Sequence, residues 1–488
     1  MLKTITTIRE KTMKKIIILI LFGFSINFAQ VGGAVSTNDP VSAALGNTSV
    51  SNSEGVYAIQ RNPANMIFSN SSVELATVFP IPNMNLNLGT DFITINQYNY
   101  YFGGVEVNGE TQGRYLTASD KQKLKDLFAG GGLIFSNVNI NYLNVVINPG
   151  KEIGAFGFSV SDNISASFNF PQGVVDLAMN GNPVGSYYDF NDASLSAQHL
   201  RDYTFSYARD ISDLFKSPLK SLSVGFSVKY IQGFAMAKTE EVVSSIKTNA
   251  DNTIDVTGRF KAYAAISPDL AVQYDFDSLN TSNADPVYSP FMTPVGTGMG
   301  FDFGVTGQWE FLTVALAINN LGSVTWNKNI AEYQSDFALS VKDITDSDAL
   351  DSLKNLVTAN GSFYEGEIKT SLPTVFRLGA TANMNEVVPE IPGELKLSAE
   401  IIKGFNNVAS NSDELGLALG MEWRPVSFIP ILTGLGFGNG RASVAWSAGT
   451  GIDLGAFEFI ISANNFGSLM KANDAKEVNL SMGSRWRF

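Results

Sequence analysis

Residues 41–69, VSAALGNTSVSNSEGVYAIQRNPANMIFS, decide the fold, because everything after them reads as one long series of strands and they do not. This stretch mixes small residues with the sequence Asn62-Pro63-Ala64. Proline fixes its own φ and disfavours the helical region for the residue before it, so a compact turn is expected at Asn62. The sequence therefore predicts a short, tightly turned segment, residues 30–70, that acts as a plug for the strands that follow.

From Ser72 onward the dominant signal is alternation of apolar and polar residues with a period of two, which places apolar side chains on one face of each strand. In residues 222–230, apolar residues alternate with Ser223, Gly225, Ser227 and Lys229. Residues 138–142, 155–160 and 415–423 follow the same pattern. Counting all such runs gives roughly 14 to 16 candidate strands.

A soluble β-sandwich would also alternate, but three features favour a membrane barrel. The polar face of the strands is rich in Gly, Ser and Asn, as a lumen would be, and aromatic residues lie near the strand ends. Short connections, such as residues 209–220, alternate with long polar loops, such as residues 327–371. We therefore predict an all-β fold, a transmembrane antiparallel β-barrel of about 14 strands over residues 71–488 with a short N-terminal plug.

The composition agrees with a chain whose outer face meets an apolar medium. Hydrophobic residues make up 44% and charged residues 16% of the sequence, which also has 44 glycines and 34 phenylalanines. After the leader, no run approaches the ~20 apolar residues of a spanning helix. The formal net charge is −13, and phosphate neutralisation needs Lys and Arg. We therefore expect no binding to nucleic acid.

Both ends of the sequence are predicted to carry signals for delivery to the outer membrane. Met13-Lys14-Lys15 and the apolar residues 16–24 have the length and charge of a signal peptide, so residues 1–29 are predicted to be one. In the last strand, Trp486 and Phe488 share the apolar face. An alternating final strand that ends in Phe resembles the signal by which bacterial outer-membrane barrels reach their assembly machinery. Trp486 and Phe488 are therefore predicted to be a barrel-assembly signal, and the location to be the bacterial outer membrane.

Two segments break the strand pattern. Residues 119–129 have a cap-type Ser119 and Leu124, Leu127 and Phe128 at helical spacing, and residues 346–359 read similarly. Both are expected to be short loop helices that either pack on the barrel mouth or bind a partner.

Little in the sequence points to catalysis, and we predict that the chain is not an enzyme and has no cofactor. There is no cysteine, so no thiolate catalyst or cysteine-ligated metal is available. His199 is the only histidine, and its polar surroundings predict an exposed loop residue. No metal site is predicted, and bound calcium stays open for the acidic loops. These contain Asp189, Asp192, Asp275, Asp277, Asp343, Asp346 and Asp348.

A run of glycines, Gly296, Gly298, Gly300 and Gly304, lacks the strand-turn-helix context of a nucleotide-binding loop. A flexible turn that leads into a strand is the expected structure there.

Two runs, GNTSVS at residues 46–51 and AIQRNPA at residues 58–64, resemble the hatch of the FadL-type outer-membrane barrels, which include the PorV-like proteins of Bacteroidota. Residues 223–233, 300–309, 318–326 and 372–384 also look like the Bacteroidota members. The resemblance implies a 14-stranded barrel plugged by residues 30–70. It also implies that Asn62, Pro63 and Ala64 form the hatch turn and are not ligand contacts.

The same resemblance implies plug-gated, passive uptake of hydrophobic small molecules such as fatty acids, which leave sideways into the membrane. The alternative is a PorV-like component of an outer-membrane secretion or assembly complex, or a carrier for its clients. Expected partners are outer-membrane lipid and the barrel-assembly machinery. The transport hypothesis adds a hydrophobic small molecule as a partner, and the PorV-like alternative adds a secretion-complex protein.

Overall fold

The computed structural model describes residues 39–488, except residues 108, 130, 215–218, 271, 275, 277–280, 284–290, 343–359, 410 and 439–443. The predicted signal peptide, the first residues of the predicted plug and the helix expected over residues 346–359 lie outside the described residues. Among the residues that are described, no helix is both long and apolar enough to cross a membrane.

Within the described part of the chain, fourteen antiparallel strands form a closed barrel, which confirms the predicted fold class. Each strand pairs with its neighbours in sequence order, as in an up-and-down barrel. The strands are β1 (Val73–Thr77 and Asn83–Thr90), β2 (Gly132–Ile147), β3 (Ala155–Phe170), β4 (Ser194–Asp210), β5 (Ser221–Thr248), β6 (Gly296–Gln308), β7 (Leu312–Trp326), β8 (Ile368–Ser371 and Val375–Asn383), β9 (Glu394–Gly404), β10 (Leu415–Val426), β11 (Ile429–Gly438), β12 (Ala445–Asp453), β13 (Phe457–Ala463) and β14 (Glu477–Arg487).

The barrel closes between its first and last strands. Both parts of β1 pair with β14, with Leu75 opposite Trp486 and Met84 opposite Met482. Below this register, the Phe488 N–H donates to the Val73 carbonyl at 2.8 Å. No open sheet edge remains at the seam, and closure is what removes such edges in all-β proteins.

The alternation of the sequence places polar side chains in the lumen and apolar side chains outside. In β5, Ser227 is 0% exposed and Lys229 is 3% exposed, whereas Phe226 and Tyr230 are 46% and 43% exposed. In β10, Leu417 points outward while Gly416 and Ala418 are buried. An apolar outer band around a polar interior is the arrangement of a transmembrane barrel.

The two ends of the barrel differ. The lower end carries the start of β1, the end of β14 and short turns, and the upper end carries the long connections. The predicted polar loop over residues 327–371 is wrong, because Ile330–Val341 and Asn360–Phe363 are strands. They join Ile254–Ile266 and the upper half of β5 in a sheet that projects above the barrel, where their backbone groups find partners.

Short helices surround these elements. The α-helices are α1 (Pro40–Ala44), α2 (Ile95–Phe102), α3 (Ala118–Leu127), α4 (Gln172–Asn180) and α5 (Phe466–Met470), and the 3₁₀ helices are Gly55–Tyr57, Pro63–Phe68, Ser212–Leu214, Pro268–Leu270, Met384–Glu386 and Ala472–Asp474. The remaining strands are Val105–Val107, Glu110–Gln112, Tyr187–Asp189, Val272–Tyr274 and Thr281–Asn283.

The helix expected over residues 119–129 is present as α3, but its N-cap is Thr117 and not Ser119. Thr117 and Asp120 form a reciprocal capping box, which satisfies two N–H groups at once. Leu124 and Phe128 join an apolar cluster with Val175 of α4 at the upper end of the barrel. Packing on the barrel mouth, one of the two roles expected of this helix, is therefore observed.

The predicted flexible turn at Gly296, Gly298, Gly300 and Gly304 is wrong, because all four glycines lie within β6. The reason is packing, since a Cβ at Gly296 would clash with the ring of Trp326 from β7. A Cβ at Gly233 in β5 would meet the same ring. Gly296 and Gly233 therefore make room for a buried tryptophan.

Candidate functional site

Residues 39–70, here called the inner segment, lie inside the barrel. Helix α1 begins after Asp39, whose Oδ1 accepts from the Ser42 N–H at 2.8 Å. Two 3₁₀ helices follow, Gly55–Tyr57 and Pro63–Phe68. Most of the segment is buried, including polar residues such as Asn62 and Asn65. A buried irregular segment needs partners for its backbone groups, and the barrel wall supplies several of them.

The predicted hatch turn, Asn62-Pro63-Ala64, contacts β5 and β6. Asn62 is the N-cap of the second 3₁₀ helix, and its Oδ1 accepts from the Ala64 N–H at 3.2 Å. Its Nδ2 donates to the Val50 carbonyl at 2.7 Å and to Thr306 Oγ1 of β6 at 2.8 Å. The side-chain amide of Asn62 thus connects its own turn to Val50 of the inner segment and to Thr306 of the barrel wall.

Glycines on the lumen face let the inner segment approach the wall closely. A Cβ at Gly225 of β5 would clash with the backbone of Pro63 and Ala64, and a Cβ at Gly434 of β11 would clash with the backbone at Leu45. Only glycine allows two backbones to approach this closely. Further glycines whose added Cβ would meet the inner segment are Gly157, Gly304, Gly379, Gly420, Gly449 and Gly483, so the contacts run around most of the barrel.

Two wall carboxylates bind the backbone of the inner segment. Glu400 of β9 accepts from the N–H groups of Ser49 and Val50 at 2.6 and 2.9 Å, and it pairs with Arg377 of β8 at 2.6 Å. The Arg377 guanidinium also donates to the Asn47 carbonyl at 3.2 Å.

On the other side of the lumen, Glu74 of β1 accepts from the Val56 N–H at 3.0 Å and from Ser69 Oγ at 2.5 Å. Its cation is Arg485 of β14, at 3.6 Å. Hydrogen bonds to a charged acceptor are about twice as strong as neutral ones. These carboxylates therefore anchor the inner segment at two opposite places, and nothing in the sequence pattern singled them out.

Separate cavities flank the inner segment. The upper cavity has a volume of about 100 Å³ and is bounded below by Gln60 and Arg61. The lower cavity has a volume of about 380 Å³ and is lined by Tyr57, Glu74 and other charged residues near the lower end. The inner segment thus lies between two spaces that open toward opposite ends of the barrel.

The prediction that His199 is an exposed loop residue is wrong. His199 lies within β4, which begins at Ser194, and it is only 8% exposed. Its Nε2 contacts Asp162 Oδ2 at 3.0 Å, and Arg201 Nε donates to Asp162 Oδ1 at 2.6 Å. The apparent polarity of this stretch is that of a lumen face, which the sequence alone does not distinguish from a loop.

Trp486 and Phe488, the predicted assembly signal, lie at the lower end of β14. The Trp486 ring contacts the Phe457 ring with centroids 4.6 Å apart, and Phe488 is exposed. The structure does not bring these two residues near Asn62, Pro63 or Ala64. They belong to the seam of the barrel and its outer surface.

Within the described residues, no three His, Cys, Asp or Glu side chains cluster as metal ligands would. Asp189 and Asp192 are part of the described chain. The other acidic residues considered for calcium, Asp275, Asp277, Asp343, Asp346 and Asp348, lie outside it.

Comparison with solved structures finds barrels that cover nearly the whole chain at low identity. The structure of the "TodX deltaS2S3 mutant monoaromatic hydrocarbon channel" is 11% identical with a TM-score of 0.46, over 92% of this chain and 99% of that chain. The Pseudomonas putida toluene transporter TodX is 9% identical with a TM-score of 0.43, over 94% and 100%. A Pseudomonas aeruginosa FadL homologue is 11% identical with a TM-score of 0.44, over 94% and 100%.

No curated protein sequence matches this one. One sequence family does match, over residues 63–464, which is most of the chain. It is described as a family of unknown function. The chain belongs to this family, DUF5723.

Proposed function

We propose that the chain is an outer-membrane channel for the uptake of hydrophobic small molecules, with the inner segment as its plug. The observation that carries the proposal is the position of residues 39–70 between the upper and lower cavities of a closed barrel. Wall glycines fitted to this segment and the carboxylates Glu74 and Glu400 support a built closure. Passage of a solute then requires the segment to shift.

Apolar contacts on one side of the plug support a hydrophobic solute. Ile59 and Met66 of the inner segment pack in a cluster with Val146, Ala155 and Ala208 of β2, β3 and β4. At Gly157 only the strand backbone separates Met66 from the outer surface. The outer surface there has a groove of about 400 Å³ lined by aromatic residues: Phe156, Phe158, Phe205, Tyr207 and Phe226. Apolar groups thus face each other across the wall, which favours a sideways exit into lipid.

Deletion of residues 39–69 tests the plug. We expect the variant to insert as a barrel and to admit small molecules freely in a liposome-permeability assay, because the segment that separates the two cavities is gone. The unheated protein should still migrate as a folded barrel on a denaturing gel. A folded variant whose permeability equals that of the intact chain would contradict the proposal.

A point variant gives a milder test. Gly225→Ala places a Cβ against the backbone of Pro63 and Ala64, so we expect it to displace the hatch turn and raise permeability partially. Gly307→Ala, also in the wall, is the matched control, because the nearest atom to its added Cβ would be 3.5 Å away in Leu219. Equal permeability of the two variants would count against a plug held by close backbone contact.

Gentle extraction of the native protein tests the other reading of the fold. A stoichiometric lipophile that co-purifies would support transport. A stoichiometric protein partner with an empty lumen would instead support a secretion-complex component, and α3 at the upper end would then be the first element to mutate.

A further inference from the structure

The upper cavity has a polar wall for a space in the path of a hydrophobic solute. Asn319 and Asn320 of β7, Arg377 of β8 and Asn411 of the loop between β9 and β10 line it, together with Lys229 of β5. Its apolar lining comes from Leu200, Leu372 and Val375, among others. Because a wholly apolar solute would strip water from the polar groups and return no hydrogen bonds, this wall disfavours a plain hydrocarbon.

The cations of the cavity are already neutralised. Arg377 pairs with Glu400 at 2.6 Å and Lys229 pairs with Asp302 at 2.9 Å. Arg61 lies 3.6 Å from Asp39. An anionic solute would have to compete with these buried carboxylates for each cation, so the wall also disfavours an acid.

Hydrogen-bonding atoms of this wall remain without a partner among the described residues. Asn319 is 4% exposed, and both its Nδ2 and its Oδ1 lack one. Arg377 Nη2, Asn411 Oδ1 and Asp202 Oδ1, whose residues also line the upper cavity, lack one as well. Buried polar groups in native proteins are normally satisfied by protein, water or ligand. Here the free atoms are two donor groups and three acceptors, and a ligand group that both donates and accepts can bond to atoms of both kinds.

We infer that the upper cavity binds a neutral hydroxyl or amide group at the polar end of an otherwise hydrophobic compound. This inference rests on the proposed function for the compound's passage through the barrel. The polar end hydrogen-bonds to Asn319, Arg377 Nη2 and Asn411 Oδ1, and Leu200, Leu372 and Val375 contact the carbons next to it. The substrate class is thus a small alcohol or amide, and neither a carboxylate nor a hydrocarbon.

A matched set of probes tests the inference: 1-hexanol, hexanoate and hexane, titrated by NMR against the full chain in lipid nanodiscs. Uptake by empty nanodiscs is subtracted. We expect hexanol to bind about 3- to 10-fold more tightly than hexane, which corresponds to one or two net hydrogen bonds. Hexanoate should bind no better than hexane.

Asn319→Leu removes the donor and the acceptor at nearly constant volume, so it should reduce the binding of hexanol to that of hexane and leave hexane unchanged. Asn87→Leu is the matched control. Asn87 is a lumen-facing residue of β1, 2% exposed, whose Oδ1 also has no partner among the described residues and which does not itself line the upper cavity. This control should leave the preference for hexanol intact.

Each outcome either supports or overturns the binding of a neutral hydroxyl or amide group in the upper cavity. Preference for hexanol that Asn319→Leu abolishes and Asn87→Leu keeps supports the inference. Tightest binding of hexanoate, equal binding of all three probes, or no binding because only water enters the cavity each overturns it. Should Asn319→Leu not fold, the order of the three probes on the unmodified chain still decides. The binding assay does not depend on transport. If deletion of residues 39–69 caused no leakage, the channel proposal would be refuted, but hexanol binding measured in the upper cavity would still hold.

Discussion

Glu400 and Glu74 hold the inner segment in the same way but with different support. Both are buried carboxylates that accept a backbone N–H from the segment. Glu400 has a close ion pair with Arg377 at 2.6 Å, whereas Glu74 lies 3.6 Å from Arg485, which pairs more closely with Glu458 at 2.9 Å. Loss of Glu400 therefore leaves Arg377 without its carboxylate, whereas loss of Glu74 leaves Arg485 paired with Glu458.

The two anchors also differ in sequence distance. Glu74 is 18 residues from Val56 and 5 from Ser69, so it closes a short loop. Glu400 is 351 residues from Ser49. The cost in chain entropy of closing a loop grows with its length, so the contact of Glu400 depends on the finished barrel. One part of the inner segment is therefore held by a residue nearby in sequence, and the other only by the tertiary fold.

Removal of the Glu400 carboxylate should have the largest effect. Glu400→Ala leaves Arg377 buried without its partner and the N–H groups of Ser49 and Val50 without an acceptor. We expect a loss of about 3–5 kcal/mol in the stability of the segment at this place. Hydrogen exchange at Ser49 and Val50 measures it. Unchanged exchange at both amides would contradict the role of Glu400 in holding the segment.

Glu74→Gln should have a smaller effect, about 1–3 kcal/mol. The amide oxygen of glutamine still accepts from the Val56 N–H, and Arg485 keeps Glu458 as its partner. Exchange at Val56 should therefore rise less than exchange at Ser49 rises in the Glu400 variant. The reverse order would mean that the ion pair of Glu400 is not what distinguishes the two anchors.

Replacement of both Arg377 and Glu400 separates the contribution of the ion pair from that of the hydrogen bonds to the segment. In Arg377→Met with Glu400→Gln, no unpaired buried charge remains, and glutamine can still accept one backbone N–H. We expect the double variant to lose less than about 2 kcal/mol, because buried ion pairs contribute little net stability. A double variant less stable than Glu400→Ala would show that the charges themselves hold the segment.

The smallest effect is expected for Asp120, a carboxylate that also accepts a backbone N–H but lies in water. Asp120 accepts from the Thr117 side chain at 2.7 Å and from the Thr117 N–H at 3.0 Å, outside the barrel. The hydrogen bond from the Thr117 side chain lowers the pKa of Asp120, with the backbone N–H as the next cause. A lowered pKa in the folded state adds stability at neutral pH, and this stability is lost as the pH falls through that pKa.

Protection of α3 from hydrogen exchange should therefore decrease slightly between pH 7 and about pH 3 in the unmodified chain. In Asp120→Asn, which lacks the titrating carboxyl, this decrease should be absent. A pH dependence of α3 that persists in Asp120→Asn would assign it to another group.

Much of the barrel could be predicted from the sequence, because alternation of apolar and polar residues acts locally on each strand. The strands with strict alternation, such as β5 and β10, follow the pattern directly. His199 and the β6 glycines were misread for one reason: polarity and glycine signal a loop in isolation, but in a barrel they mark the lumen face or room for a buried ring. The strand Ile330–Val341 above the barrel was not predicted, because it pairs with Ile254–Ile266, which lies tens of residues earlier in the chain.

Periodicity and proline geometry are properties of neighbouring residues, so the sequence predicted the all-β class, roughly 14 to 16 candidate strands, the irregular N-terminal segment and a turn at Asn62-Pro63-Ala64. The tertiary structure alone decided which wall residues meet the segment: Gly225, Gly434, Arg377 and Glu400. It also brought Asn319 and Asn411 to one cavity. Such contacts join residues that are tens to hundreds of positions apart, and they exist only once closure of the barrel has fixed which strands face each other across the lumen.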